Sequence, residues 1–418
     1  MTHVNTSIHV PKHTLVKQMG LLAVLDSHKN SEEGTEIEYR LYSWGEIFPP
    51  FLGDREHSVV ARFILREFPF KLFSSSTPYD DPLPQKLCLT FKAPNEVKKE
   101  TEHAHISGIF AHEIANEFAA FISLYTRRRV FAEKQLRVDG LPIEQEGEIY
   151  QRYHFQERQR LREIDSNEVY QLLDNLQALD KNIANGFILA MRLYHSAIEM
   201  MYVDPEFAYL FLVTALETIS SVINKDYKPD REEDFLNSRF SGWKVDLTEE
   251  QRTSLKDILL RNENFTFQKL LKFVTEYLPE QFWSEAQDDS KPEALTGIIG
   301  IGPDGKGEER ISRTDITIQD FEKIEKEDLK KALRDVYDAR SRLVHEGVRF
   351  PKSIVLGHFR RVPVGVLSDM ISSGIQSKWR LKIMPLLTFE RLVSYSMVEF
   401  LRKQGKKKLD RDEVQDVH

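Results

Sequence analysis

The segment from Asp204 to Asn224 constrains the fold more than any other part of the sequence. Asp204-Pro205-Glu206 is a strong helix start, because Asp is a good N-cap, Pro fits the first turn and an acid is favoured near the positive end of the helix dipole. The apolar residues that follow lie nearly all round the helix: Phe207, Leu210, Phe211, Val213, Leu216, Ile219, Val222 and Ile223. This pattern predicts a central helix. Glu217 interrupts it, and since a buried carboxylate needs a cationic partner, Arg340 is a candidate.

A second predicted helix, over about 319–345, ends in an Arg and a His. Arg340 falls where the next apolar residue of a buried stripe is due, and an unpaired guanidinium there is costly. His345 follows five residues later, and Gly347 provides a helix stop. Positions i and i+5 lie about 140° apart on a regular helix. The two side chains converge if His345 leaves the helix at its last turn, or if two copies of the helix end meet across a two-fold axis.

A purely structural interpretation of the same residues stays open. In it, His345 caps carbonyl groups at the helix end, and the guanidinium of Arg340 is satisfied by Glu217 or Asp338.

Composition indicates an ordinary globular protein with two or three domains. The chain has 418 residues, of which 41% are hydrophobic and 30% are charged. The single cysteine, Cys88, excludes an internal disulfide framework and predicts a reducing, cytoplasmic compartment. We expect neither a signal peptide nor a transmembrane helix, because no apolar run approaches the length that would span a membrane. We therefore expect no membrane partner.

The net charge of −8 argues mildly against nucleic-acid binding, but the charge is unevenly distributed. Between Arg340 and Lys382 there are nine Lys and Arg residues against two acids. Such a region is able to bind phosphate, and Arg342, Arg349 and Lys352 are the candidate RNA-binding residues. Scattered, solvated charge is the alternative interpretation.

We predict an α+β chain with two main parts. Residues 1–150 form a mixed α/β, strand-rich N-terminal domain with a helix from Ser107 to about Arg127, and this domain has a possible sensing or partner-binding role. A charged helical connector follows over 151–180. An all-α domain over 181–405 includes a mobile loop at 284–315 and a last helix over about 387–403, and a charged tail covers 406–418.

Three other motifs argue weakly for other chemistry. Residues 300–306 match the core of a phosphate loop, but Gly307 stands where Ser or Thr would hold magnesium. His112-Glu113 lacks the second His that a zinc-binding helix needs, although His103 and His105 lie nearby. Cys88 lies in an apolar strand and is expected to be packed rather than nucleophilic. We expect no cofactor and no metal.

The stretch Tyr337-Asp338-Ala339-Arg340-Ser341-Arg342-Leu343-Val344-His345-Glu346-Gly347 fits the R-x4-6-H motif and resembles the Apea-like HEPN domains of bacteria. The segment from Phe207 to Glu217 is similar to the second helix of that family, and the resemblance covers roughly 183–403. It implies an all-α, HEPN-like helical bundle that dimerises and is often a metal-independent endoribonuclease. Many such relatives belong to toxin or phage-defence systems.

The resemblance also implies roles for particular residues. His345 would move protons while the ribose 2′-hydroxyl attacks the adjacent phosphate, and Arg340 would hold the scissile phosphate. Ser341, Glu217 and Tyr337 would support them, although the family often has Asn, Asp or His where this chain has Ser341. The sequence thus predicts an RNA-cleaving homodimer, and a non-catalytic HEPN scaffold that binds RNA or a partner protein is the alternative.

Overall fold

The computed structural model describes residues 20–30, 34–44, 62–74, 85–94, 104–142, 164–201, 204–227, 248, 250–251, 253–254, 265–284, 324, 326–350, 384 and 386–415. The chain divides into two compact units. The first comprises Met1–Glu157 and Leu161–Ala178, and the second comprises Arg158–Arg160 and Leu179–His418. The first unit contains an antiparallel sheet with helices and the second is helical in its described part, so the predicted α+β class is confirmed.

The elements of the first unit are α1 (Leu21–Lys29), β1 (Gly34–Trp44), β2 (Arg62–Leu65), β3 (Phe70–Ser74), β4 (Gln85–Pro94), α2 (Ala104–Thr126), β5 (Arg129–Val138), β6 (Leu141–Pro142) and α3 (Ser166–Gln177). The six strands form one sheet in the order β2-β3-β4-β1-β5-β6, and every pairing is antiparallel.

The two faces of this sheet differ because successive strand residues point to opposite sides. Alternate residues of β1, namely Ile37, Tyr39 and Leu41, are buried on the face that α1 and α2 cover. On that face the rings of Phe70 and Phe118 stack with centroids 4.6 Å apart. The residues between them, such as Glu38, Arg40 and Tyr42, lie on the opposite face, which we call the outer sheet face.

The elements of the second unit are α4 (Lys181–Met200), α5 (Pro205–Ile223), α6 (Thr266–Tyr277), α7 (Gln281–Ser284), a 3-10 turn (Lys326–Asp328), α8 (Leu329–Glu346) and α9 (Leu386–Gln415). Helix α5 packs against α4, α6, α8 and α9, so it is central, as its sequence predicts. The carboxylate of Asp204 accepts hydrogen bonds from the backbone N–H groups of Glu206 and Phe207, which confirms the predicted N-cap.

Two tyrosine hydroxyls inside the bundle are paired. The hydroxyl of the fully buried Tyr209 donates to the carbonyl of Met384 at 2.7 Å. The hydroxyl of Tyr194 donates to a carboxylate oxygen of Glu390, which is 2% exposed. These bonds fix α9 to α5 and α4, because a buried polar atom without a partner would be costly.

By length and apolar composition, α5 is the one helix in the described part of the chain that could cross a membrane. The central helix of a globular bundle meets the same criterion, so this is weak evidence for a membrane span.

Several predicted boundaries were wrong. Helix α2 begins at Ala104 rather than at Ser107, and α8 begins at Leu329 rather than near 319. Helix α9 continues to Gln415, past the predicted end at 403 and into the predicted tail. Charged residues lower the apolar periodicity at helix ends without stopping the helix, and this explains the last error. The helix in the predicted connector, α3, packs with the first unit.

Candidate functional site

The guanidinium of Arg340 binds the carboxylate of Glu217, with Nη2 of Arg340 2.9 Å from Oε2 of Glu217. The two residues lie on α8 and α5, and their side chains are 20% and 14% exposed. Thus the predicted pairing of the carboxylate in the central helix with the Arg of the second helix is confirmed. The Arg lies just beyond the apolar stripe of α8, whose buried residues are Ala332, Leu333, Val336 and Ala339.

Tyr337 completes this group. Its hydroxyl lies near enough to Glu217 and to Thr266, at the start of α6, for both to influence its pKa, and its ring lies 5.5 Å from that of Phe267. Residues of α5, α6 and α8 therefore meet around the ion pair of Arg340 and Glu217. We refer to Glu217, Tyr337 and Arg340 as the arginine clamp.

Burial dominates the electrostatics of the arginine clamp. It raises the pKa of Glu217, and the positive charge of Arg340 and the hydroxyl of Tyr337 offset this only in part. Burial followed by the charge of Glu217 raises the pKa of Tyr337. The Nε atom of Arg340 is buried and has no hydrogen-bond partner among the described residues.

His345 lies on the last turn of α8 and is exposed. The helix remains regular through Glu346 and ends at Gly347, whose φ of 68° is left-handed, with the N–H of Val348 donating to the carbonyl of Arg342 at 3.2 Å. The predicted glycine stop is confirmed. Because His345 stays helical, its side chain projects about 140° around the axis from Arg340. Within one chain the two do not face each other.

The other predicted site residues lie around this helix end. Ser341 is half-buried one turn before His345, and Arg342 is exposed. Arg349 is 85% exposed, and its Nε lies 3.9 Å from a carboxylate oxygen of Glu206. Lys352, the remaining basic positions of the 351–382 stretch and the phosphate-loop-like residues 300–306 lie outside the described residues.

An exposed apolar group surrounds the helix end, and the sequence interpretation missed it. Val344 and Val348 are 48% and 45% exposed, and Phe207 on α5 is 52% exposed. The Glu206–Arg349 ion pair brings the start of α5, with Phe207, next to the end of α8, with Val344 and Val348. We call these three side chains the apolar rim. The sequence carried a signal for Val344, which is an apolar residue one turn beyond Arg340, after the buried stripe of α8 has ended.

The histidines of the first unit do not form a metal site in the described part of the chain. Nδ1 of His112 lies 2.6 Å from the hydroxyl of Tyr39 in a hydrogen bond, and the carboxylate of Glu117 accepts from the N–H of Leu21 at 2.7 Å. Within the described residues, no three His, Cys, Asp or Glu side chains come together. The side chains of His103 and His105 lie outside the described residues.

Cys88 is 2% exposed in β4, and burial raises the pKa of its thiol strongly. The prediction that it is packed rather than nucleophilic fits both observations.

No protein-family model, curated protein or solved structure matches this chain. The resemblance to HEPN domains therefore rests on the residues from Tyr337 to Gly347 and from Phe207 to Glu217, and the family assignment stays a prediction.

Proposed function

We propose that the chain is a metal-independent endoribonuclease of HEPN type that acts as a homodimer, with a toxin or phage-defence role. The observation that carries the proposal is the arrangement at the end of α8. There, an exposed His345 follows the clamped Arg340 by little more than one turn, between Val344 and Val348 in the sequence.

The chemistry uses the two residues for different tasks. His345 takes the proton from the ribose 2′-hydroxyl, whose oxygen then forms a bond to the adjacent phosphorus. Arg340 stabilises the charge that develops on the phosphate oxygens. The bond from phosphorus to the 5′-oxygen breaks, and that oxygen takes up a proton. The products are a 2′,3′-cyclic phosphate and a 5′-hydroxyl, so no water or metal ion is consumed in the cleavage step.

The geometry supports a site shared between two chains. Since His345 and Arg340 project in different directions from one helix, one chain's His345 would need to approach the Arg340 of a second chain. The apolar rim, made of Phe207, Val344 and Val348, gives such an approach a hydrophobic contribution, because burial of exposed apolar area is favourable.

The first test measures cleavage of single-stranded RNA by the full chain and by His345→Gln and Arg340→Lys. We expect either substitution to lower the rate by about 10²-fold or more, with a chelator without effect. Lys330→Ala, an exposed residue of the same helix, is the matched control and should retain the wild-type rate. Cleavage by both site variants at the wild-type rate would remove the catalytic assignment.

A second test mixes two inactive variants, His345→Ala and Arg340→Ala, after joint refolding. If each site takes Arg340 from one chain and His345 from the other, the mixed dimer has one intact site, and about a quarter of the wild-type activity returns. A shared site predicts this recovery, whereas a site within one chain predicts none.

The arginine clamp also favours a second candidate, a non-catalytic HEPN scaffold that binds RNA or a partner protein. In this interpretation Arg340 serves mainly to neutralise Glu217, to which it is bonded at 2.9 Å. The scaffold predicts RNA binding or partner capture without cleavage at any protein concentration, and the first test distinguishes it from the nuclease.

A further inference from the structure

The outer sheet face of the first unit carries an excess of positive charge. Strand β1 contributes Arg40, β3 contributes Lys71, and β4 contributes Lys86 and Lys92, as the pairing register shows. Among the described helices, α1 and α2 pack on the other face of the sheet.

Strand β5 adds three more cations to the same face, Arg129, Lys134 and Arg137, which pair in register with β1. Three carboxylates, of Glu36, Glu38 and Glu133, oppose the seven cations in the described strands. The local excess of positive charge stands against a net charge of −8 for the whole chain. Charge complementarity therefore points to a polyanion as the ligand of this face.

Aromatic rings are interleaved with these cations. Phe131 stacks on Tyr42 with centroids 5.5 Å apart, and the guanidinium of Arg129 lies 5.5 Å from the Phe131 ring centroid. At the other side of the face, the Nζ atoms of Lys71 and Lys92 lie 4.1 Å and 4.9 Å from the ring centroid of Phe68.

Burial indicates which of these rings a ligand would reach. Cys88 and Thr90 in the middle of the face are 2% and 7% exposed, so a ligand does not reach the side chains there. Phe68, Phe73 and Phe131 towards its sides are only partly buried. Phe73 and Phe131 lie on strands separated by three strand spacings, or about 14 Å, so a chain of several nucleotides is needed to reach both.

From this combination we infer that the outer sheet face of the first unit binds single-stranded nucleic acid. The cations contact phosphates, and bases stack on Phe68, Phe73 and Phe131. A duplex is a poor ligand because its bases already stack on one another, and a peptide made only of acidic residues has no rings to stack. This inference does not rest on the proposed nuclease activity, since it concerns residues of the other unit and is measured as binding.

The test measures binding of a fluorescent oligonucleotide of about 16 nucleotides by anisotropy. The protein is the full chain with His345→Gln, which prevents any cleavage by the proposed site. One variant carries Lys71→Glu and Lys134→Glu on the outer sheet face. The matched control carries Lys181→Glu and Lys330→Glu, two exposed residues of the second unit that make the same change in charge.

We expect the outer-face variant to bind about tenfold more weakly or worse, with a shallower salt dependence, and the control to bind within about twofold of the parent. Phe131→Leu, which keeps an apolar side chain but removes the ring, should weaken binding by about fivefold or more. Parallel measurements with RNA and DNA oligonucleotides show which of the two nucleic acids this face binds more tightly.

Two results would overturn the inference. One is equal weakening by the outer-face variant and the control, which would place binding elsewhere. The other is competition by duplex or by polyglutamate as strong as that by unlabelled single strands. This result would show that the outer sheet face attracts anions in general and has no preference for single-stranded nucleic acid. Circular dichroism on each variant confirms that it is folded.

Discussion

Two regions of this chain, the arginine clamp of the second unit and the sheet of the first unit, treat charged residues in opposite ways. The second unit takes charge into its interior and pairs it, as with Glu217 and Arg340, whose side chains are 14% and 20% exposed. The sheet of the first unit separates its residues by face, with Phe70 and Phe91 fully buried against Phe118 and the helices, and cations such as Lys92 and Arg137 exposed on the outer sheet face.

This difference teaches where function can be changed without loss of the fold. A paired charge inside a bundle is coupled to its partner, so its removal affects stability as well as chemistry. A charge on an open sheet face stays solvated, so its removal changes binding and little else. The following predictions test this contrast, from the largest expected effect to the smallest.

Removal of the Phe118 ring should have the largest effect on stability. Phe118 is fully buried and stacks on Phe70, so Phe118→Ala should lower the free energy of unfolding of the first unit by about 3–5 kcal/mol. Phe131→Ala on the outer sheet face is the control and should cost less than about 1.5 kcal/mol. Urea unfolding followed by circular dichroism measures both. Equal costs would mean that the two faces do not differ in burial as described.

The arginine clamp gives the next largest effect. Arg340→Ala leaves the carboxylate of Glu217 buried without its cation and should destabilise the second unit by about 2–4 kcal/mol. Arg342→Ala, two residues on and exposed, should change stability by less than about 0.5 kcal/mol. The double variant with Glu217→Ala should cost less than the sum of the single ones, because it removes both charges. Thermal unfolding measures the change in stability of each variant. If the changes of the two single variants add up to that of the double variant, Arg340 and Glu217 are not coupled.

In each unit a tyrosine hydroxyl donates a hydrogen bond to a backbone carbonyl, and the two bonds differ in their exposure to water. Tyr209→Phe removes a buried hydrogen bond to the carbonyl of Met384 and should cost about 1–2 kcal/mol. Tyr170→Phe removes two bonds at an exposed site of the first unit: the one that the hydroxyl donates to the carbonyl of Glu67 at 2.8 Å, and the one that it accepts from the N–H of Glu67 at 2.9 Å. It should cost less than about 0.5 kcal/mol, because water replaces the hydroxyl. A larger loss for Tyr170→Phe than for Tyr209→Phe would reverse the contrast.

The smallest effect concerns pH. Burial lowers the pKa of His112, and the carboxylate of Glu113 offsets this in part. Between the lowered pKa and the ordinary value of about 6.5, the unfolded chain binds more protons than the folded one. The stabilisation from neutral His112 is thus fully present above about pH 6.5, the ordinary pKa, and it is lost as the pH falls from there through the lowered pKa of the folded protein.

His112→Gln should therefore flatten the acid side of the pH profile of unfolding of the first unit. Asn116→Ala, one turn further along α2 and not titratable, should leave the slope unchanged. An unaltered acid slope in the His112 variant would assign the pH dependence to other groups.

Local rules predicted much of the bundle. The Asp204 cap, the all-round apolar character of α5 and the Gly347 stop are properties of short segments, and each was found where the sequence placed it. The need for an ion pair at Arg340 was also predictable, because burial of one charge requires an opposite charge, and Glu217 was one of the two candidates with Asp338.

The sequence predicted the sheet less well than the bundle. Strand β1 was not singled out, although Ile37, Tyr39 and Leu41 alternate with polar residues and carry the signal of a half-buried strand. Its place between β4 and β5 depends on pairings between residues about 50 and 95 positions apart, which no local pattern specifies. The bond between His112 and Tyr39 follows from that arrangement and could not be predicted without it.

The candidate site shows the same division. The sequence by itself determined which residues stand at the end of α8, that the helix ends at Gly347 and that Arg340 needs an anionic partner, because spacing and burial costs act within or close to one element. Only the tertiary structure decided that Glu217 is this partner, that His345 projects to solvent away from Arg340, and that the apolar rim and the outer sheet face exist. These features depend on which elements pack together, and packing is set by the whole core rather than by any single segment.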